Sequence, residues 1–447
     1  MKKNYWYIML IAFFIVSISF VVIKYKNKQQ SENNTVYTLL PRKDNSNNAE
    51  WLAAKNNTDN LINKIKANPA DTKSAIALAN AYIMEARISS NIAYYDKAAM
   101  KTVDNVLATE PDNYEALMLK SLLQLSMHHF ADGLATATTA VNINPNSAFV
   151  YGLLVDANVE MGNYDAALDA ADKMVSIRPD LRSYSRIAYL REIYGDYPGA
   201  VSAMKMAVEA GVPSEESTEW CRTQLGRLYE NMGDINKAAF QYNLSLAARP
   251  GYAYALAGLG RIASYEKKYD SAVYYYQQAQ NMVSDLGVKE NLAITYYNAG
   301  QSEKANAINE EVIDEMNKNA QMSIDDPTIG HYSDKELAYA YLQNNNYDKA
   351  LEHALAEYSR RPKNIDVNET MAWVYYKRNE MEKAQTYLDA AFVTHSKNPM
   401  LLCTAGLIYA KTGNTEKGKM MLGLGLKHDP VMQQDIKKES TEALQKL

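Results

Sequence analysis

Ten small residues recur along this chain at nearly one period, and that period restricts it to a stack of short, similar units. They are Ala98, Gly133, Ala167, Ala200, Ala238, Ala272, Ala305, Ala350, Ala384 and Gly418, separated by 35, 34, 33, 38, 34, 33, 45, 34 and 34 residues. The surroundings repeat too. A turn pair and an aromatic or apolar residue come first, and the small residue follows three positions later. GNYDAALDAA at Gly162, GDYPGAVSAM at Gly195 and NNYDKALEHA at Asn345 are examples. Proline stands twelve residues beyond the small position in five copies, at Pro145, Pro179, Pro250, Pro362 and Pro430. A chain of 447 residues with this self-similarity folds as one extended array rather than as several globular domains.

The local spacings ask for helices. Twelve residues before the small position stands another small residue: Ala188, Gly226, Gly260, Ala293, Ala338, Ala372 or Gly406. Tyrosine follows three positions later at Tyr229, Tyr296, Tyr341, Tyr375 and Tyr409. Residues at i and i+3 share a helix face, so a small residue and a large ring let a second helix approach closely. Proline then stops the second helix, because it cannot continue the hydrogen-bond ladder. The low glycine (19) and proline (12) counts agree with helices broken once per turn.

This pattern resembles the tetratricopeptide repeat over roughly residues 73 to 430. The resemblance implies an all-α fold, a right-handed superhelical solenoid of about ten helix-turn-helix repeats. The array is expected over residues 50–430, beginning with a helix over 50–68 and followed by a polar capping helix over 431–447. Lengthened segments over 212–220 and 317–334 are expected to be loops, and the first copy to carry a longer connection to Tyr95.

The N-terminus differs in kind. Residues 6 to 23 are apolar except for Ser17 and Ser19, with Lys2 and Lys3 before them and Lys24, Lys26 and Lys28 after. The run is just long enough to cross a bilayer as a helix. Residues 1–26 are therefore expected to form a single-pass membrane anchor, with a cleaved signal peptide as the alternative. The Asn-rich stretch 27–49 reads as a flexible tether. Two lysines on a short tail favour a body outside the cytoplasm, periplasmic in a bacterium. The three lysines after the run leave a cytoplasmic body open.

Composition narrows the function. The net charge of −5 speaks against a nucleic-acid partner, because no basic excess is available to neutralise phosphates. Two cysteines, Cys221 and Cys403, offer no disulfide framework. No phosphate loop, HExxH, GxSxG or dinucleotide fingerprint occurs, so no cofactor, metal or small-molecule substrate is expected. Six histidines are scattered over the repeats, and His128 and His129 are adjacent, so they do not share a helix face. Asp325, Asp326 and His331 are the one drawable metal set, and solvated loop residues are the simpler reading.

The resemblance further implies that the first helix of each repeat lines a concave, ligand-binding face. Carried over by position, that face holds Arg182, Arg186 and Tyr189, then Trp220, Gln224 and Arg227, then Tyr254 and Arg261, and then Asn291. Three arginines beside rings suit an acidic segment or a C-terminal carboxylate. The simpler alternative is that they pair with Glu192 and Glu230 on their own helices and merely keep the groove wet. The family's clamp for chaperone tails is absent: Lys335 is the only lysine at its fifth position, and Tyr339 stands where Asn is required. The expectation is a non-enzymatic scaffold that binds a partner protein or peptide near a membrane. The rivals are an accessory protein handling envelope polysaccharide and an enzyme with its site in 317–334.

Overall fold

The computed structural model describes residues 36–43, 49–325, 330–428 and 434–447, together with Trp6, Phe13, Phe14 and residues 16–19. The chain divides into two units, Met1–Leu40 and Pro41–Leu447. In the first, Trp6, Phe13, Phe14 and 16–19 are helical and 36–40 are not. Most of the anchor expected over 1–26 and the tether over 27–49 lies outside the described residues. Among those described, no helix is long and apolar enough to cross a membrane.

The second unit is helical, with no strand among the described residues. Helix α1 (Ala49–Ala67) leads. Ten helix pairs follow, beginning with α2 (Thr72–Ser89) and α3 (Ile92–Thr109), α4 (Tyr114–Ser126) and α5 (Phe130–Ile143), and α6 (Ala148–Glu160) and α7 (Tyr164–Ile177). Next come α8 (Leu181–Ile193) and α9 (Tyr197–Ala210), α10 (Glu216–Asn231) and α11 (Ile235–Ala248), and α12 (Ala253–Tyr265) and α13 (Tyr269–Met282). The last four are α14 (Leu286–Asn298) and α15 (Ser302–Asp325), α16 (Asp334–Gln343) and α17 (Tyr347–Arg360), α18 (Ile365–Lys377) and α19 (Met381–Ala391), and α20 (Pro399–Lys411) and α21 (Thr415–His428). Helix α22 (Gln434–Lys446) ends the chain and buries Ile436.

The turns inside the pairs share one device. Each contains a residue with positive φ: Ser90, His128, Gly162, Gly195, Gly233, Lys267, Gly300, Asn345, Asn379 and Gly413. A left-handed residue ends a helix by letting the chain turn back, and glycine takes it most readily. Asp or Asn then starts the next helix in several pairs, as when Asp196 and Asp234 accept from Gly199 N and Lys237 N. Packing within the pairs uses the small positions. Ala167, Ala200, Ala238, Ala272, Ala350 and Ala384 are fully buried, as are Ala188, Ala338 and Ala372 on the first helices. First helices of most successive pairs also pack on one another, whereas second helices stand further apart, so the first helices form the inner face.

Three local expectations are corrected. Residues 317–325 are not a loop but the continuation of α15, which runs for 24 residues with Val312 and Met316 buried. Part of 212–220 likewise lengthens the start of α10. In the first pair, Ser90 is the turn residue and α3 begins at Ile92, so helix occupies the supposed connection to Tyr95.

The array meets itself again after six pairs. Ser284 N donates to Ser89 O (3.3 Å), and Tyr332 N to Met127 O (3.2 Å). Asn364 Nδ2 donates to Glu160 O (3.1 Å), and Thr394 Oγ1 to Ile193 O (3.0 Å). In each case the turn of one pair touches the loop that enters the sixth pair after it. Pairs one to four thus dock on pairs seven to ten along a continuous seam.

Candidate partner-binding site

The nine residues marked by the resemblance lie on the first helices of the fourth to seventh pairs, and packing sorts them into two groups. Arg186 is taken. Its Nε and Nη2 meet Asp156 Oδ1 and Oδ2 at 2.9 and 2.6 Å, and Nε also donates to Gly152 O at 3.0 Å. Arg261 is taken as well. Its Nε and Nη2 meet Glu230 Oε2 and Oε1 at 3.1 and 3.2 Å, and Nη2 lies 3.2 Å from Tyr242 Oη. Tyr242, wholly buried, donates to Glu230 Oε1 at 2.6 Å, and burial beside that carboxylate drives its phenol well up. Both arginines therefore bridge to the preceding pair, and each carboxylate offsets a charge whose desolvation would otherwise be costly. The simpler reading pairs these arginines with Glu192 and Glu230 on their own helices; Arg227 alone does so, while Arg186 and Arg261 reach Asp156 and Glu230 on the preceding pairs.

Tyr254 and Asn291 also have structural work. Tyr254 Oη lies 3.1 Å from Ser90 Oγ, and burial pushes its phenol up to about 12. Asn291 Nδ2 donates to Gly287 O one turn back on α14, at 2.6 Å. The remaining members are more available. Arg182 is exposed with its guanidinium 5.0 Å from the Phe149 ring centre. Arg227 is exposed and only loosely paired to Glu230 Oε2 at 3.4 Å. Tyr189 and Trp220 are 39% and 36% exposed, and Gln224 is half-buried.

The seam was not visible in the sequence. Arg361 joins Glu160 across it and Glu357 on its own helix, and its guanidinium stacks 4.5 Å from the Phe130 ring centre. Ile365 N donates to Tyr164 Oη at 2.8 Å, and Ile365 packs among Val155, Val159 and Tyr164. His128 Nδ1 lies 2.9 Å from Tyr332 O, and His129 Nε2 lies 2.5 Å from Gly330 O. The His128 and His331 rings sit 4.1 Å apart, and burial lowers both imidazoles to about 4. His331 is thus a packing residue of the seam. The side chains of Asp325 and Asp326 lie outside the described residues, and no group of metal-ligating side chains occurs among those described. Cys221 and Cys403 are buried free thiols. Gly162 could have hinted at the seam, since a side chain there would strike the Lys363 backbone, but a turn glycine carries no such mark in the sequence.

Two buried carboxyls inside the array are pushed towards their neutral form. Burial pushes Glu369 up to about 8, with Asp366 adding to it. Burial also pushes Glu290 up to about 7, with Glu336 and Asp285 contributing. Asp366 itself is held down by Lys335, whose Nζ lies 3.2 Å from Oδ2.

Residues 221–252, within the fifth pair, match the tetratricopeptide repeat family. No curated protein sequence matches the chain. Among solved structures, the APC/C hetero-tetramer Cut9-Hcn1 is similar at 16% identity and a TM-score of 0.45, over 71% of this chain and 58% of that one. This chain therefore spans a little over half the length of that protein. A tetratricopeptide repeat protein from Parabacteroides merdae is similar at 16% identity and a TM-score of 0.42, over 53% of this chain and 90% of that one. The human IFIT1 dimer with PPP-AAAA gives 13% identity and 0.47, over 77% and 79%. By sequence, residues 221–252 are similar to a single tetratricopeptide repeat, and the helix pair they form is one of ten in the described array.

Proposed function

We propose that the chain is a non-enzymatic scaffold that holds a segment of a partner protein against the inner face of its central pairs, close to a membrane. One observation carries this reading: Arg182, Tyr189, Trp220 and Arg227 present exposed rings and cations on consecutive first helices braced by buried pairs. A preorganised surface of this kind loses little entropy on binding. The Asp156–Arg186 and Glu230–Arg261 bridges act as its frame, so contact with the partner falls to the four exposed residues. The lysine-flanked apolar run over residues 6 to 23 supports tethering to a membrane, with the body on its outer side, and tethering raises the effective concentration of a membrane-bound partner.

The test is a photo-crosslinking amino acid placed at Trp220 in the full-length chain in its native membranes. A discrete protein adduct, lost when Tyr189 and Arg227 are both replaced by Ala, is the expected result. Adducts to envelope polysaccharide alone, or none above those of a probe on the outer helix at exposed Phe240, would overturn the reading.

A further inference from the structure

Three imidazoles meet on the seam, where the turn of the second pair faces the residues that lead into α16. His129 is 5% exposed, and His128 and His331 are half-buried. The His128 and His331 rings lie 4.1 Å apart. His128 Nδ1 and His129 Nε2 each meet a backbone carbonyl of the facing segment, Tyr332 O and Gly330 O. A nitrogen bonded to a carbonyl carries the hydrogen, so the other nitrogen of each ring is the one left to take a proton.

Arginine already occupies the aromatic surface beside two of the rings. His128 stacks 5.1 Å from Phe130, and the Arg361 guanidinium lies 4.5 Å from that same ring. His129 stacks 4.4 Å from Tyr332, and the Arg360 guanidinium also lies 4.4 Å from it. Each stack thus holds one permanent cation and one imidazole. Charging the imidazole sets two like charges on one ring, and charging both His128 and His331 adds a repulsion across the seam.

We propose that these three rings form a proton-operated latch: neutral, they hold the second pair against the eighth; charged, they release it and loosen the Arg361 contact beside it. The latch does not depend on the scaffold reading, because it concerns how the array closes and not what the array holds.

The surroundings give the direction. Burial lowers His128 and His331 to about 4, with Arg361 and Lys335 adding to it at His128, and His128 and His129 adding to it at His331. Burial lowers His129 as well, and Arg360 adds to it. The carboxylates that oppose this are Glu357 on α17, Glu336 on α16 and Asp132 on α5. Glu357 is held by Arg360 and Arg361, and Asp334 by Arg360 and His353. Asp96 on α3, reached through Ser126, is pushed up to about 6 by burial, but it is buried between the first two pairs and opening the seam does not expose it. A ring of ordinary value 6.5 that is lowered to about 4 gives up its proton when the seam closes. The latch is therefore fully shut above 6.5 and loosens as the pH falls towards 4, by up to about 300-fold in the closed-to-open ratio for each such ring.

The experiment is hydrogen exchange read by mass spectrometry on the full chain at pH 7, 6 and 5, with protection corrected for the intrinsic pH dependence of exchange. Protection at 127–132 and 330–333 is expected to fall by about 20-fold or more between pH 7 and 5, with 361–365 following and 200–207 in α9 unchanged. His128→Asn with His331→Asn should cut that fall to about threefold or less, the part left to His129. His353→Asn, off the latch, should leave it as in the parent. Protection unchanged with pH in the parent chain, an equal fall at 200–207, an undiminished fall in the double variant, or its loss in His353→Asn would each overturn the proposal.

Discussion

Gly226→Ala should loosen the centre of the array, by an amount that can be worked from the contacts of one ring. A Cβ on Gly226 would lie 2.5 Å from Tyr242 Cε1 and 2.7 Å from Cζ, whereas ordinary contact begins at 3.4 Å. The ring would therefore have to move by 3.4 − 2.5 = 0.9 Å. It cannot retreat freely, because a Cβ on Gly258 would stand 2.5 Å from Tyr242 Cζ, so that backbone is also close. Its hydroxyl is fixed by Glu230 at 2.6 Å and Arg261 at 3.2 Å. Overpacking costs about 1–3 kcal/mol, and a weakened hydrogen bond to a charged group about 1.5–3 kcal/mol more. Alanine returns about 1 kcal/mol of helix preference. The net loss is about 1.5–5 kcal/mol. In a Tyr242→Leu background the ring is gone, and the same substitution should become neutral or stabilise by up to about 1 kcal/mol. Repeat arrays need not unfold in one step, so the measurement is amide hydrogen exchange within α10 to α13 rather than one melting curve. An equal cost in both backgrounds, or stabilisation in the parent chain, would refute the wedge between Gly226 and Gly258.

Three further outcomes are expected. Arg361→Met removes the ion-pair partner of Glu160 and leaves Glu357 with Arg360, so the seam should lose about 3–5 kcal/mol and exchange should rise at 159–164 and 361–365 together; unchanged protection there would deny the seam its ion pair. Arg186→Glu sets a carboxylate against Asp156 and should destabilise by several kcal/mol, whereas Arg227→Glu should stay within about 1 kcal/mol in denaturant unfolding, because Arg227 is exposed. Lowering the pH should open the seam at the second pair. His128 has an ordinary value of 6.5 and is lowered to about 4 in the fold, so below 6.5 the unfolded chain binds protons that the fold refuses. Stability is full above 6.5 and falls progressively towards 4, by at most about 3 kcal/mol for this group. Exchange at 127–132 and 330–333 should therefore rise between pH 7 and 5, and His128→Asn should reduce that dependence, with His331 carrying the remainder.

The helix pairs were legible because their causes are local. The small residue in each helix, the turn residue and the closing proline lie within one period of some 34 positions, so Ala200 and Ala188 could be matched from spacing alone. The first copy keeps its phase at Tyr95 and Ala98, but Ser90 stands in place of glycine or asparagine at its turn, so the early start of α3 carries no mark in the sequence. Residues 317–325 carry no helical mark in the sequence because an insertion breaks the period there, although polar residues such as Asn317 and Lys318 extend a helix as readily as they form a turn.

The candidate site was legible only as a set of positions. The sequence by itself placed Arg182, Arg186, Arg227 and Arg261 on first helices, because helical period sets which residues share a face. It could not say which of them were free, since Arg186 meets Asp156 on another pair and that meeting depends on how two helices are rotated. Tertiary structure alone decided the seam. Its contacts join residues roughly 200 positions apart, through loops with no periodic signature, and they exist because the curvature of six stacked pairs brings one turn onto the next. Glu369 Oε1 is a further case: it is buried without a hydrogen-bond partner, and no local rule marks it.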